Sequence, residues 1–149
     1  MEIKTILLEN LANSNSDDRK KWATLIIESK LDLIELCSIL KSDRKTAIRF
    51  AWMLTEIAEK DPHFLHQHLP YLFAIRKEIT HFPFEESFAN YWRFSGIPEE
   101  NESEAIDLLF FWIQSSSTNK TIKSRAQKVL LKLCEKYPEL KNEMDFDYF

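Results

Sequence analysis

The sequence predicts an all-α fold of stacked helix pairs, and three observations carry that prediction. The 149 residues include a single glycine, whereas hairpins, strand bulges and phosphate-cradling loops depend on glycine for positive φ. Apolar residues recur three and four apart, with few strand-like alternations. The stretch 49–64 also returns at 125–140 with five identities in sixteen, at an offset of 76 or two units of 38. Average usage gives about one such identity.

The elements follow in order. A short helix is expected at about 2–12. Ser14-Asn15-Ser16-Asp17 reads as a turn with capping residues, and apolar spacing resumes at Trp22, Leu25 and Ile26. Asp32 opens a short partner helix carrying Leu33, Ile34, Leu36, Cys37, Ile39 and Leu40, and Ser42 or Asp43 caps the helix after it. Nine of the twelve residues from Ala47 to Ala58 are apolar, so that helix must be covered on more than one side and is read as central. Asp61-Pro62 supplies a cap and a first-turn proline for a helix running to about Thr80. A further pair is expected over 84–95 and 101–115, split by Gly96-Ile97-Pro98, with Asn101 and Glu104 as a capping box. The last pair covers about 119–136 and 138–144.

Charge and composition exclude several classes of function. Twenty Lys and Arg against 24 Asp and Glu give a net charge of −4, which repels nucleic acid and anionic lipid at long range. P-loop, dinucleotide and nucleophile-elbow motifs are absent. Cys37 and Cys134 sit among apolar residues without a zinc-ligand set, so both read as reduced core residues. No apolar run reaches about twenty residues, and the stretch 3–8 is a poor signal sequence. The expectation is a cytoplasmic protein with no membrane partner, no cofactor and no metal.

Arg49-Phe-Ala-Trp-Met-Leu54, Ile57-Ala-Glu-Lys-Asp-Pro62, Gly96-Ile-Pro-Glu-Glu100 and Lys136-Tyr-Pro-Glu-Leu-Lys-Asn-Glu143 resemble small, mostly uncharacterised bacterial HEAT-like (armadillo-type) helical-repeat proteins. The resemblance covers about 43–143 and implies an α-α superhelix of about four helix pairs in one domain. On that reading 1–42 are N-terminal capping helices, 43–143 the core repeats and 144–149 an acidic-aromatic tail. The shared residues are packing and capping residues and carry no chemistry.

The candidate sites are weighed on chemistry. His63, His66 and His68 cannot face one ion from one helix, so a solvated helix start is favoured over a metal site. Glu78 and His81 have the spacing of a di-iron motif but lack its second copy and its further carboxylates. Ser115–Lys120 echoes a loop of the fumarase and adenylosuccinate lyase superfamily without its Met-Pro core, and is set aside. Lys120, Lys123, Lys128, Lys132 and Lys136, with Arg125, leave 119–136 near +5 and form the best nucleic-acid stripe, although their spacing also suits a solvent-facing helix. The acidic run from Glu99 to Asp107 is a candidate partner for them. Arg49 and Arg125 share one repeat position, and a repeat-to-repeat ion pair or a hydrogen bond to a loop is expected of them in preference to ligand contact. Phe82, Phe84, Phe88, Tyr91, Trp92 and Phe94 read as mostly core, but they are more rings than one amphipathic face can hide, and Tyr91, Trp92 and Arg93 are of types enriched at binding hot spots. Trp52 aligns with Lys128; residues 1–41, with Trp22, are expected to cover it, and otherwise its face becomes a partner site.

Two functions are therefore weighed. The first is a non-enzymatic interaction or scaffold module that binds a peptide or protein, with homo-oligomers left open. The alternative is a HEAT-like nucleic-acid-binding or DNA alkylpurine glycosylase-like protein, which the net charge opposes.

Overall fold

The computed structural model describes residues 2–143, and the tail expected at 144–149 lies outside them. Its α-helices in chain order are α1 (Ile3–Asn10), α2 (Ser16–Glu28), α3 (Leu33–Leu36), α4 (Arg44–Lys60), α5 (Pro62–His66), α6 (Leu69–Ile75), α7 (Phe88–Ser95), α8 (Glu102–Gln114) and α9 (Lys120–Lys136). The fold is all-α, with no strand among the described residues. None of these helices is long and apolar enough to cross a membrane. The chain gathers into two compact units, Met1–Pro98 and Glu99–Phe149.

In the first unit α4 is central because its apolar residues wrap more than one face. Thr46, Ala47, Phe50, Ala51, Met53, Leu54, Ile57 and Ala58 are all buried, and α2, α5, α7 and the 3-10 turn Cys37–Lys41 pack around them. Asp43 caps the helix, accepting from the Thr46 N–H at 3.1 Å and the Thr46 hydroxyl at 2.8 Å. Asn15 and Asp18 form a reciprocal capping box on α2. The far end of α2 turns through Lys30 at φ 52°, with the Leu31 N–H on the Ile26 carbonyl and the Lys30 N–H on that of Ile27. That is a Schellman turn with lysine where glycine is usual.

The helix expected from 62 to about 80 is broken. Pro70 has no N–H to donate and in a continuous helix its ring would collide with the carbonyl four residues back, so α5 stops at His66 and α6 restarts with the proline in its first turn. A 3-10 turn, Arg76–Glu78, ends it. The segment expected as one helix at 84–95 likewise begins as a 3-10 turn, Phe84–Ser87, before α7. Gly96 stops α7 at φ +79°, a conformation L side chains rarely adopt. The rings of Phe73, Phe84, Phe88, Tyr91 and Trp92 pack mostly edge-to-face or tilted around Phe88.

In the second unit α8 and α9 pack through Ala105, Leu109, Trp112 and Ile113 against Ile122, Ala126, Val129, Leu130 and Cys134. Asn119 caps α9, accepting from the Ile122 N–H at 2.9 Å. The capping box expected from Asn101 and Glu104 does not form. A 3-10 turn, Glu99–Asn101, runs straight into α8, so Asn101 lacks the extended backbone of a cap and makes no capping hydrogen bond.

Five buried positions of α4 recur as buried positions 76 residues later, whereas the counterparts of Ala47, Ala51 and Ile57 are only half-buried. Helices α4 and α9 both span 17 residues, their caps Asp43 and Asn119 stand 76 apart, and both are followed by proline. Thr46, Phe50, Met53, Leu54 and Ala58 correspond to Ile122, Ala126, Val129, Leu130 and Cys134, all buried. At the intermediate offset Phe84, Phe88, Tyr91 and Trp92 correspond to the first four and are buried too. Gly96, 38 residues after Ala58, ends α7.

Candidate partner-binding surface

The exposed side of α4 carries the one candidate aromatic that reaches solvent. Trp52 is 49% exposed, whereas Tyr91 and Trp92 are buried at 0% and 2%. The expectation that Tyr91 and Trp92 offer a surface is thereby corrected. They occupy the core positions of Met53 and Leu54, and the Tyr91 hydroxyl donates to the Ala51 carbonyl of α4 at 2.9 Å. Burial pushes the Tyr91 phenol well above its ordinary range. Arg93 does point outward, its guanidinium 4.9 Å from the centre of the Phe94 ring.

Two arginines converge on Trp52. Arg49, one turn earlier on α4, places its guanidinium carbon 5.3 Å from the indole centroid, and Arg19 of α2 stands 5.2 Å from it. Arg19 is held by the turn that starts α2, with Nη1 donating to the Ser14 carbonyl and hydroxyl at 2.9 Å each. Arg49 reaches only the Lys45 carbonyl, at 3.5 Å, and its Nε is shielded from water without an acceptor. Among the described residues neither guanidinium has an ion-pair partner, so the ion pair expected of Arg49 is absent. Asp18 and Asp43, the carboxylates closest in sequence, are occupied as helix caps.

The expected cover over Trp52 is also corrected. Trp22 lies instead in an open apolar cleft of about 430 Å³ with Ile3, Ile6 and Leu25, between α1 and α2. What the first helices bring to Trp52 is the Arg19 guanidinium. Sequence reasoning gave Arg19 no role, and no local signal could have done so, because it meets Trp52 only through the packing of α2 on α4.

On α9 the five lysines do not make one stripe. At about 100° per residue Lys123 falls on the side of Leu130 and Cys134, and it is half-buried, whereas Lys128 and Lys132 face solvent on the other side. Lys120 is exposed between these directions. Lys136 is tied down, its Nζ 3.1 Å from Glu102 and 3.9 Å from Glu99, while the Tyr137 hydroxyl donates to the other Glu102 oxygen at 2.8 Å. The Glu102 hydrogen bond raises the Lys136 ammonium pKa above its ordinary value.

His66, His68, Glu78 and Cys37 are engaged in the fold, whereas His63 is exposed. The His66 Nδ1 pairs with the Ser95 carbonyl at 2.8 Å and the His68 Nδ1 with that of Phe64 at 2.9 Å. Glu78 pairs with Lys41 at 2.9 Å. No cluster of three metal-binding side chains occurs among the described residues. Both cysteines are buried; Cys37 donates to the Leu33 carbonyl at 3.0 Å, and burial, with Asp32 nearby, pushes its thiol up to about 12. No family model matches the chain, and neither the curated proteins nor the solved structures contain a match to it.

Proposed function

We propose that the chain is a non-enzymatic interaction module of the HEAT or armadillo type, which binds a protein or peptide partner on the outer face of α4. The observation that carries this reading is the half-exposed Trp52 with two arginines over one ring and no ion-pair partner for either among the described residues. Tryptophan and arginine are the residue types that most often dominate binding energy at interfaces. The repeat type is supported by the buried positions that recur at offsets of 38 and 76 residues. A cytoplasmic location suits two buried cysteines in a chain without a zinc set.

The nucleic-acid reading, an alkylpurine glycosylase-like protein, ranks second because the α9 lysines diverge and one is held by carboxylates. Affinity capture from the native host, comparing the unaltered chain with Trp52→Ala at matched stability, tests the proposal. Loss of the captured proteins in the variant is expected, and an unchanged set overturns it. Duplex DNA should bind no tighter than the nonspecific range of about 10⁻⁴–10⁻⁶ M at physiological salt.

A further inference from the structure

We propose that Arg19, Trp52 and Arg49 form a recognition site for an acidic peptide segment, in which a carboxylate meets the guanidiniums and a neighbouring apolar side chain lies on the indole. The inference rests on the interaction-module reading and adds the chemistry of the partner. An exposed tryptophan alone would suit any apolar ligand. Here two positive charges stand 5.2 and 5.3 Å from the same ring centre, with no ion pair to either among the described residues.

Each guanidinium has five N–H donors, and the ring face satisfies none of them as a hydrogen bond. Arg19 uses Nη1 on Ser14, which fixes its position, and its other guanidinium nitrogens make no hydrogen bond among the described residues. Arg49 makes only the 3.5 Å approach to Lys45, and its Nε–H has no acceptor. A carboxylate engaging Arg49 through its Nη groups would gain a charge-assisted hydrogen bond that the free protein does not offer, while the shielded Nε–H lies out of its reach. Arg44 and Lys45, exposed on the first turn of α4, extend the positive field, while Glu56, one turn past Trp52, pairs with neither arginine.

The geometry favours a peptide over a nucleic acid. Nucleic-acid affinity accumulates over a track of phosphate contacts, whereas these guanidiniums converge on one ring. The net charge of −4 also opposes a dense polyanion more than a segment bearing a few carboxylates.

The test uses the full chain, isotope-labelled for nuclear magnetic resonance. It is titrated with three probes: a capped peptide of roughly ten residues alternating Glu with Leu and Phe, its Lys-for-Glu counterpart, and an oligothymidylate of similar length. The signals followed are the Trp52 indole N–H, assigned through Trp52→Phe, and the Nε–H groups of Arg19 and Arg49. The acidic peptide should shift all three saturably. Its affinity should fall at least about fivefold between roughly 0.05 and 0.5 M salt, and at least about tenfold in the double variant Arg19→Glu, Arg49→Glu.

If charge reversal unfolds the protein, Arg19→Gln with Arg49→Gln serves instead and should weaken binding by about fivefold or more. No saturable shift, an equal response to the basic peptide, or tighter binding of the oligothymidylate at these signals overturns the proposal. Such a failure alongside Trp52-dependent capture of proteins from the host refutes the acidic chemistry and leaves the interaction module standing. Loss of the Trp52 dependence itself is what refutes the module.

Discussion

Truncating Leu54 and Leu130 to alanine, one at a time, tests whether the 38-residue register is a real repeat of core positions. Both side chains are 0% exposed and lie at matching places in helices of equal length. Each change removes three carbons, which at about 0.8 kcal/mol apiece gives a transfer loss of about 2.4 kcal/mol. The cavity left behind adds to it, so each variant should lose roughly 3–4 kcal/mol, within the usual span of about 2–5 for buried leucine. The assay is urea unfolding followed by circular dichroism, with amide hydrogen exchange on α4 or α9 reporting the local loss. A loss below about 0.5 kcal/mol for either leucine would mean that its helix is peripheral, and the register would fail.

Further expectations concern backbone and titration. Gly96→Ala should cost about 1–3 kcal/mol through strain at φ +79° and not through crowding, because an added Cβ would meet only His66 Nδ1 at 3.9 Å; thermal melting measures it. Lys30→Gly should stabilise by about 0.5–1 kcal/mol by relieving the left-handed turn after α2, and a lower melting temperature would contradict that geometry. Cys37 and Cys134 should react slowly with a thiol reagent in the native state, and rapid labelling of Cys134 would sink its core assignment. The Cys37 thiol is raised in the fold, so above about pH 9 the unfolded chain loses that proton while the folded chain keeps it. Stability should therefore fall between about pH 9 and 12, with Tyr91 adding in the same direction at higher pH, and Cys37→Ala should flatten the earlier part of the decline.

The fold was legible wherever local chemistry decides it. Apolar spacing located α2, α4, α8 and α9, and Asp43, Asp61 and Asn119 cap as their positions imply. The break before α6 was also written in the sequence, since Pro70 cannot sit inside a helix without cost, but Asp61-Pro62 drew attention to the start and not to the interior. Tyr91 and Trp92 could have been recognised as core by extending the period of 38 to the middle copy, where they fall on Met53 and Leu54. Residue type pointed to a hot spot, and position overruled it. Arg19 was not legible, because no spacing along one helix brings it to Trp52. Such contacts are set by which faces of two helices pack, and hydrophobic pattern alone fixes the faces without fixing the axial register.

Crosslinking in the native host tests the central claim most directly. A photoreactive phenylalanine analogue is placed at Thr55, one turn past Trp52 on α4, and separately at Lys128, the repeat counterpart of Trp52 on α9. A partner bound on the Trp52 face gives a discrete protein adduct from position 55 that disappears with Trp52→Ala and with Arg19→Gln, Arg49→Gln, while position 128 gives none. An adduct confined to position 128, or one at position 55 that survives those substitutions, contradicts the assignment of this face.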